Sequence, residues 1–234
     1  MQKAARAGAH RAGETHAENL YCGERKRLTT HTPPTRPPIY DALAPHYDRA
    51  LRPLERLLLR RLRAAALRSL RAGAGARLLE IGAGTGVNFA HYPTGAHVVA
   101  ATDPSREMLR VARRKPQPAG VRLVQTGAET LPFADDAFDA AFATLVFCSL
   151  ASPPQAFAEL RRVVRAGGRI VLLEHVRPPN PLGYVFDAIS FFTVPLFEDH
   201  FNRRTAEDAA RAGLRILCVE RHALGIIQII VCEV

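Results

Sequence analysis

Apolar positions follow two textures along this chain. From Arg77 onward, short aliphatic runs alternate with stretches of helical spacing. Arg77–Ile81, Ala96–Asp103, Val121–Gln125, Phe138–Leu145 and Arg169–Glu174 read as five buried strands. Between them, a helical stretch opens at Asn88 to Tyr92. Ser105–Lys115 predicts a helix with Ser105 as N-cap and Met108, Leu109 and Ala112 on one face. Pro154–Val164 predicts another, stopped by Arg165-Ala166-Gly167-Gly168. Strands alternating with helices indicate a parallel sheet covered on both faces. Thr205–Ala212 predicts a last helix, followed by two closing strands, Leu214–Glu220 and Ile226–Glu233, that suggest an antiparallel finish.

Before Arg77 the pattern differs. Tyr40–Asp48 reads as a short entry segment, then Pro53–Leu70 as an Arg-rich helix. Its expected apolar stripe is Leu54, Leu57, Leu58, Leu62 and Leu70, with Arg56, Arg60, Arg61, Arg63 and Arg68 on wetter faces. Residues 1–38 lack periodicity and end in Pro33, Pro34, Pro37 and Pro38, which suit neither a helix interior nor a central strand. The expected organisation is a tail and stiff linker over 1–38, then one domain over 39–234, with an aromatic-rich insertion at 181–204.

Composition narrows the classes. Of 234 residues, 47% are hydrophobic and 23% charged, values of an ordinary globular chain. No apolar run approaches the ~20 residues of a membrane span. No secretion signal is read at the N-terminus, and Cys22, Cys148, Cys218 and Cys232 form no C-x-x-C pair. Reduced thiols in a cytoplasmic protein are therefore expected, without a metal site. The net charge of +10 is concentrated early: residues 1–76 hold 15 Lys+Arg against 6 Asp+Glu, residues 77–234 hold 17 against 16. Such asymmetry suits either an anionic partner or simply a solvated arginine surface.

The candidate chemistry sits at Glu80-Ile81-Gly82-Ala83-Gly84-Thr85-Gly86, where a strand turns into a helical stretch. Glycines there permit a tight turn and close backbone approach to a ligand, at the carboxyl end of a strand where open α/β sheets bind ligands. The spacing is G-x-G-x-G, neither the dinucleotide fingerprint nor a phosphate-binding P-loop. An acid before the turn suits a cofactor bearing an ammonium. Asp103, ending the second strand, offers two oxygens to the hydroxyls of a ribose.

These residues resemble the class I S-adenosylmethionine-dependent methyltransferases. Glu80–Gly86 matches that family's first motif. Asp103-Pro104-Ser105 with Met108-Leu109 is similar to its second-strand acid and helix, Ala128–Phe133 with Asp136 and Phe138-Asp139 to its adenine-side segment, and Leu160–Gly168 to its turn into the fifth strand. The resemblance implies a Rossmann-like, seven-stranded, mostly parallel sheet with an antiparallel C-terminal closing strand. It also implies S-adenosylmethionine as cofactor, S-adenosylhomocysteine as product, and a cofactor set of Glu80, Gly82, Ala83, Gly84, Thr85, Gly86, Asp103, Pro104, Gly127, Ala128, Glu129 and Thr144. Gly127 departs from the Asp or Asn frequent in the family, leaving adenine to the backbone at Gly127 and Ala128 and to Glu129.

The later segments Leu173–Pro178 and Tyr184–Phe191, with Tyr47-Asp48, resemble the ubiquinone/menaquinone C-methyltransferase group. Thr144–Ser149 and Asn202–Thr205 look as much like thiol and phospholipid methyltransferases. The implied acceptor is lipophilic: a quinone precursor, a phospholipid amine or a thiol. Tyr184, Phe186, Phe191, Phe192, Phe197 and Phe201 supply either an apolar pocket wall or a packed cap. His175, after the fifth strand, is the candidate base where the acceptor must lose a proton, with Glu174 and His200 as weaker ones. A non-catalytic S-adenosylmethionine-binding scaffold is the alternative. Nucleic acid is not the expected partner, since no Asn/Asp-Pro-Pro-Tyr/Phe follows the fourth strand. The basic N-terminal region instead suits peripheral contact with the anionic inner face of a membrane.

Overall fold

The computed structural model describes residues 38–96, 98–178, 183–184, 200 and 202–234. Seven strands form one sheet: β1 (Arg77–Ile81), β2 (Val98–Asp103), β3 (Val121–Gln125), β4 (Phe138–Thr144), β5 (Val164–His175), β6 (Arg215–His222) and β7 (Ile227–Glu233). The order is β3-β2-β1-β4-β5-β7-β6. Pairings from β3 through β5 are parallel, and β7 runs antiparallel to both β5 and β6. This is the seven-stranded, mostly parallel sheet expected, with the antiparallel strand inserted last.

Alternation along each buried strand divides the core into two layers. Leu79, Ile81, Ala141, Ala143, Ile170 and Leu172 face α4 (Pro153–Val163), where Phe147 stacks on Phe157 with ring centroids 4.5 Å apart. Leu78, Phe142, Val171 and Leu173 face α2 (Arg60–Ser69) and the short 3-10 turn Phe89–His91. Each fully buried Leu, Ile or Phe contributes roughly 1.5–3 kcal/mol of transfer free energy. α3 (Arg106–Arg113) begins at Ser105, whose Oγ accepts from Met108 N at 3.1 Å, the N-cap read from the sequence. α5 (Thr205–Arg211) precedes the last hairpin.

The N-terminal elements depart from expectation. Tyr40–Asp48 is not an entry segment but part of α1 (Pro38–Leu54), which continues through a π-helical turn at Glu55–Leu59 into α2. The π turn changes which side chains face inward. Leu59, Leu62, Ala66, Leu67 and Leu70 are buried, whereas Leu54 and Leu57 stand out, Leu57 at 82% exposure. Arg63, expected on a wet face, is buried at 3%. The helix stops at Val163, just before the Arg165–Gly168 stretch read as helix stop and strand entry, and β5 starts earlier than read, at Val164, with Gly167 N donating to Val234 O at 3.1 Å. Residues 1–37 and most of the 181–204 insertion, including Phe186, Phe191, Phe192, Phe197 and Phe201, lie outside the described residues.

Candidate functional site

Strand order reverses between β1 and β4, and there the carboxyl ends of neighbouring strands diverge to leave a crevice. A cleft opens at that point, lined by Gly82, Ala83, Gly84, Thr85 and Val87 after β1, Asp103 after β2, Met108 on α3, Thr144, Leu145 and Val146 at the end of β4, and Tyr40, Tyr47 and Arg63 from the N-terminal helices.

The glycine turn is shaped by two opposite needs. At Gly82 (φ +67°) an added Cβ would lie 2.4 Å from Val146 Cγ2, so only hydrogen lets the β4 loop close down on the turn. At Gly84 (φ +54°) an added Cβ would meet nothing within 4 Å. That open space above a left-handed backbone is a cradle facing the cleft. The turn is fastened to β2, since Ala83 N donates to Thr102 O at 2.8 Å and Gly84 N to Asp103 Oδ2 at 2.9 Å. Asp103 Oδ1 accepts from Ser105 N at 2.8 Å. Asp103 is buried and lines the cleft beside the glycine turn, and its carboxylate is an acceptor of the kind that hydroxyl donors need.

Glu80 is turned away from this space. Its carboxylate is fully buried, accepting from Asn88 Nδ2 at 2.6 Å and from the Tyr92 hydroxyl, and it does not line the cleft. Burial raises its pKa to about 7 against the lowering effect of those two bonds and of Arg63. Direct contact between Glu80 and an ammonium therefore gives way to an indirect route, because Asn88 also donates to Thr144 Oγ1 at 2.8 Å, at the cleft wall. Gly86, Pro104, Gly127, Ala128 and Glu129 also stand outside the lining. Gly86 packs against the Phe89 ring, while Gly127 and Ala128 are buried, and Glu129 Oε1 accepts from Ser152 N at 3.3 Å.

The β4 loop is built by Glu174. This carboxylate, fully buried at the end of β5, accepts from Val146 N at 2.9 Å and Phe147 N at 3.1 Å, while Leu145 N donates to Leu173 O at 2.7 Å. Together they hold Leu145 at φ +58°, a strained conformation for a branched aliphatic residue. Burial raises Glu174 to about 7 despite these donors. Glu174 is thus a loop anchor rather than a cleft group. His175, next along β5, is half-buried and pairs with Ile227 of β7, away from the cleft lining.

The N-terminal helix closes the cleft from the side. Asp48 accepts from Thr85 Oγ1 at 2.6 Å and pairs with Lys115 Nζ at 2.6 Å, and Asp41 accepts from the Ser105 hydroxyl. Tyr40, Tyr47, Asp48 and Arg63 were not legible as site residues, because the π turn that orients the helix leaves no mark in hydrophobic spacing.

Comparison with known proteins agrees with this geometry. The family described as methyltransferase domain matches residues 79–172. A demethylmenaquinone methyltransferase of Clavibacter sepedonicus is 44% identical over 124 residues, covering 51% of this chain and 49% of that one. The ubiquinone/menaquinone biosynthesis C-methyltransferase UbiE of Syntrophotalea carbinolica is 37% identical over 151 residues, covering 62% of this chain and 63% of that one. The chain thus spans about half to just under two thirds of the length of these relatives. Among solved structures, a chain of the complex between the Haloferax volcanii Trm112 methyltransferase activator and its methyltransferase superposes with TM-score 0.66 at 18% identity, covering 83% of this chain and 96% of that one. A geranyl diphosphate methyltransferase in complex with S-adenosylmethionine gives TM-score 0.61 at 17% identity, over 74% and 84% of the two chains. Residues 79–172, with their cradle and strand-end acid at the switch point of this sheet, thus match the methyltransferase domain family, and the sheet around them has the fold of the solved methyltransferases.

Proposed function

We propose that the protein methylates a lipophilic acceptor, first among them the ring carbon of a reduced quinone precursor, using S-adenosylmethionine. The observation that carries this is the combination of the switch-point cleft with the two quinone-methyltransferase relatives. The residues present fit the cofactor: Asp103 accepts from ribose hydroxyls, and the cradle over Gly84 admits the amino acid end. Bound there, the cofactor supplies a sulfonium methyl already activated for in-line displacement. The protein's share is alignment and exclusion of water. Tyr40 and Tyr47 on α1 cover the cleft, and the loop held by Glu174 sets its far wall. His175 serves as base toward the acceptor, taking a proton from the ring hydroxyl or carbon, at the same end of the sheet as the cleft.

The outer surface of the first helix supports a partner as well. Leu43, Leu54 and Leu57 are exposed on α1 and the π turn, among the exposed Arg49, Arg52, Arg56, Arg60 and Arg61. This mix suits an anionic membrane surface, where a quinone acceptor resides.

The deciding experiment incubates the protein with methyl-labelled S-adenosylmethionine and a short-chain demethylmenaquinol. Label in the organic phase, on ring carbon, supports the proposal. Label only on added thiols or phospholipid amines replaces the acceptor, and cofactor binding with no transfer to any of them supports a scaffold role instead.

A further inference from the structure

Arg63 is a buried cation at the wall of the cleft. Its side chain is 4% exposed. Nε donates to Glu55 Oε2 at 3.1 Å, and Nη1 donates to Asn88 Oδ1 at 3.2 Å and to Thr144 Oγ1. Nη2 donates to no acceptor among the described residues, yet Arg63 lines the cleft together with Gly82, Gly84 and Asp103. The placement is deliberate in helical terms. Residues eight apart on an α-helix differ by about 80° around the axis. The π turn at Glu55–Leu59 adds one residue to a turn, which brings Glu55 over Arg63 and lets its carboxylate fix the guanidinium. Among the described residues Glu55 is the carboxylate bonded directly to it, while Glu80 accepts from Asn88 and Tyr92.

A guanidinium held at Nε and Nη1, with Nη2 engaged by no described residue and the side chain lining a cleft, is arranged for an anion. Charge-assisted bonds to a planar carboxylate fit that edge. We infer that Arg63 binds the carboxylate of the amino acid moiety of the cofactor, and that Glu55 acts as its positioning residue. This inference rests on the cofactor reading above and extends it from the ribose end, at Asp103, to the opposite end of the ligand. Arg63 then makes the site selective for a nucleoside thioether that carries an intact amino acid. Leaving a buried cation without its anion is costly, which gives the discrimination its size.

The test is calorimetry with three ligands: S-adenosylhomocysteine, its decarboxylated form S-adenosyl-3-thiopropylamine, and 5′-methylthioadenosine, which lacks the amino acid altogether. The unmutated protein should bind S-adenosylhomocysteine roughly 30- to 100-fold more tightly than the decarboxylated form, a ratio set by truncating one side of a buried charge pair. Arg63→Met should abolish that ratio while leaving methylthioadenosine within about threefold, and Arg63→Lys should restore part of it. Equal affinity of the unmutated protein for the first two ligands overturns the inference without any variant. So does an Arg63→Met protein that keeps the ratio, or one that loses all three ligands equally while Arg63→Lys also keeps none. Failure of the unmutated protein to bind any of the three ligands overturns the cofactor reading itself.

Discussion

Asp103 and Gly84 both line the cleft, and of their substitutions only that at Gly84 separates binding from folding. Asp103→Ala removes the acceptor for Gly84 N and Ser105 N as well as for a ribose, so both stability and affinity should drop. Unpaired polar groups at about 1–3 kcal/mol each predict roughly a 10- to 100-fold loss of S-adenosylhomocysteine affinity by calorimetry. Gly84→Ala places a methyl where no protein atom stands within 4 Å. It costs only the ~1 kcal/mol of a left-handed non-glycine residue, so melting should barely move while affinity falls at least tenfold. The reverse is expected at Gly82, where alanine collides with Val146 and the thermal midpoint should fall by several degrees. For His175, proposed as the base, His175→Ala should lower turnover with cofactor affinity intact, as labelled-methyl transfer and calorimetry would show.

Secondary elements were most legible where burial dictates spacing. β1 and β3 have the bounds read from alternating and continuous apolar runs, and α3 begins at the serine chosen as its cap. The first helix was misread for a physical reason. Prolines at 45 and 53 argue against a continuous helix, yet both lie within α1, and the π turn follows directly after Pro53-Leu54. A pattern assuming 3.6 residues per turn across that point assigns the wrong leucines to the core and sends Arg63 to solvent. The leucines so displaced are those proposed to meet lipid. Flotation with phosphatidylglycerol vesicles checks this: binding should rise with anionic lipid, weaken in 0.5 M salt as charges are screened, and weaken again in Leu57→Asp. Binding to RNA instead of vesicles would move the arginine surface to a different partner.

Two buried carboxyls set a property of the whole molecule. Glu80 and Glu174 both titrate near 7 when folded, against an ordinary 4.5, chiefly because burial disfavours their charge. The folded chain holds these protons more tightly than the unfolded one. Their stabilisation is complete below about pH 4.5 and is lost as pH rises through about 7, by roughly 3 kcal/mol per carboxyl. Thermal midpoints should therefore decline from pH 5 to pH 8, and Glu174→Gln should flatten that decline. Sheet order and the cofactor turn could be read from the sequence because strand runs and glycine spacing are local signals. The buried network of Arg63, Asn88, Thr144 and Tyr92 could not, because it joins residues up to 81 positions apart whose types are common on surfaces.

The first helix lies ahead of the matched methyltransferase segment, yet Asp41 and Asp48 latch it to Ser105, Thr85 and Lys115 across the cleft. One wall of the cleft is thus supplied from outside the matched segment, and chains that share the same sheet are free to differ in how that wall is fastened.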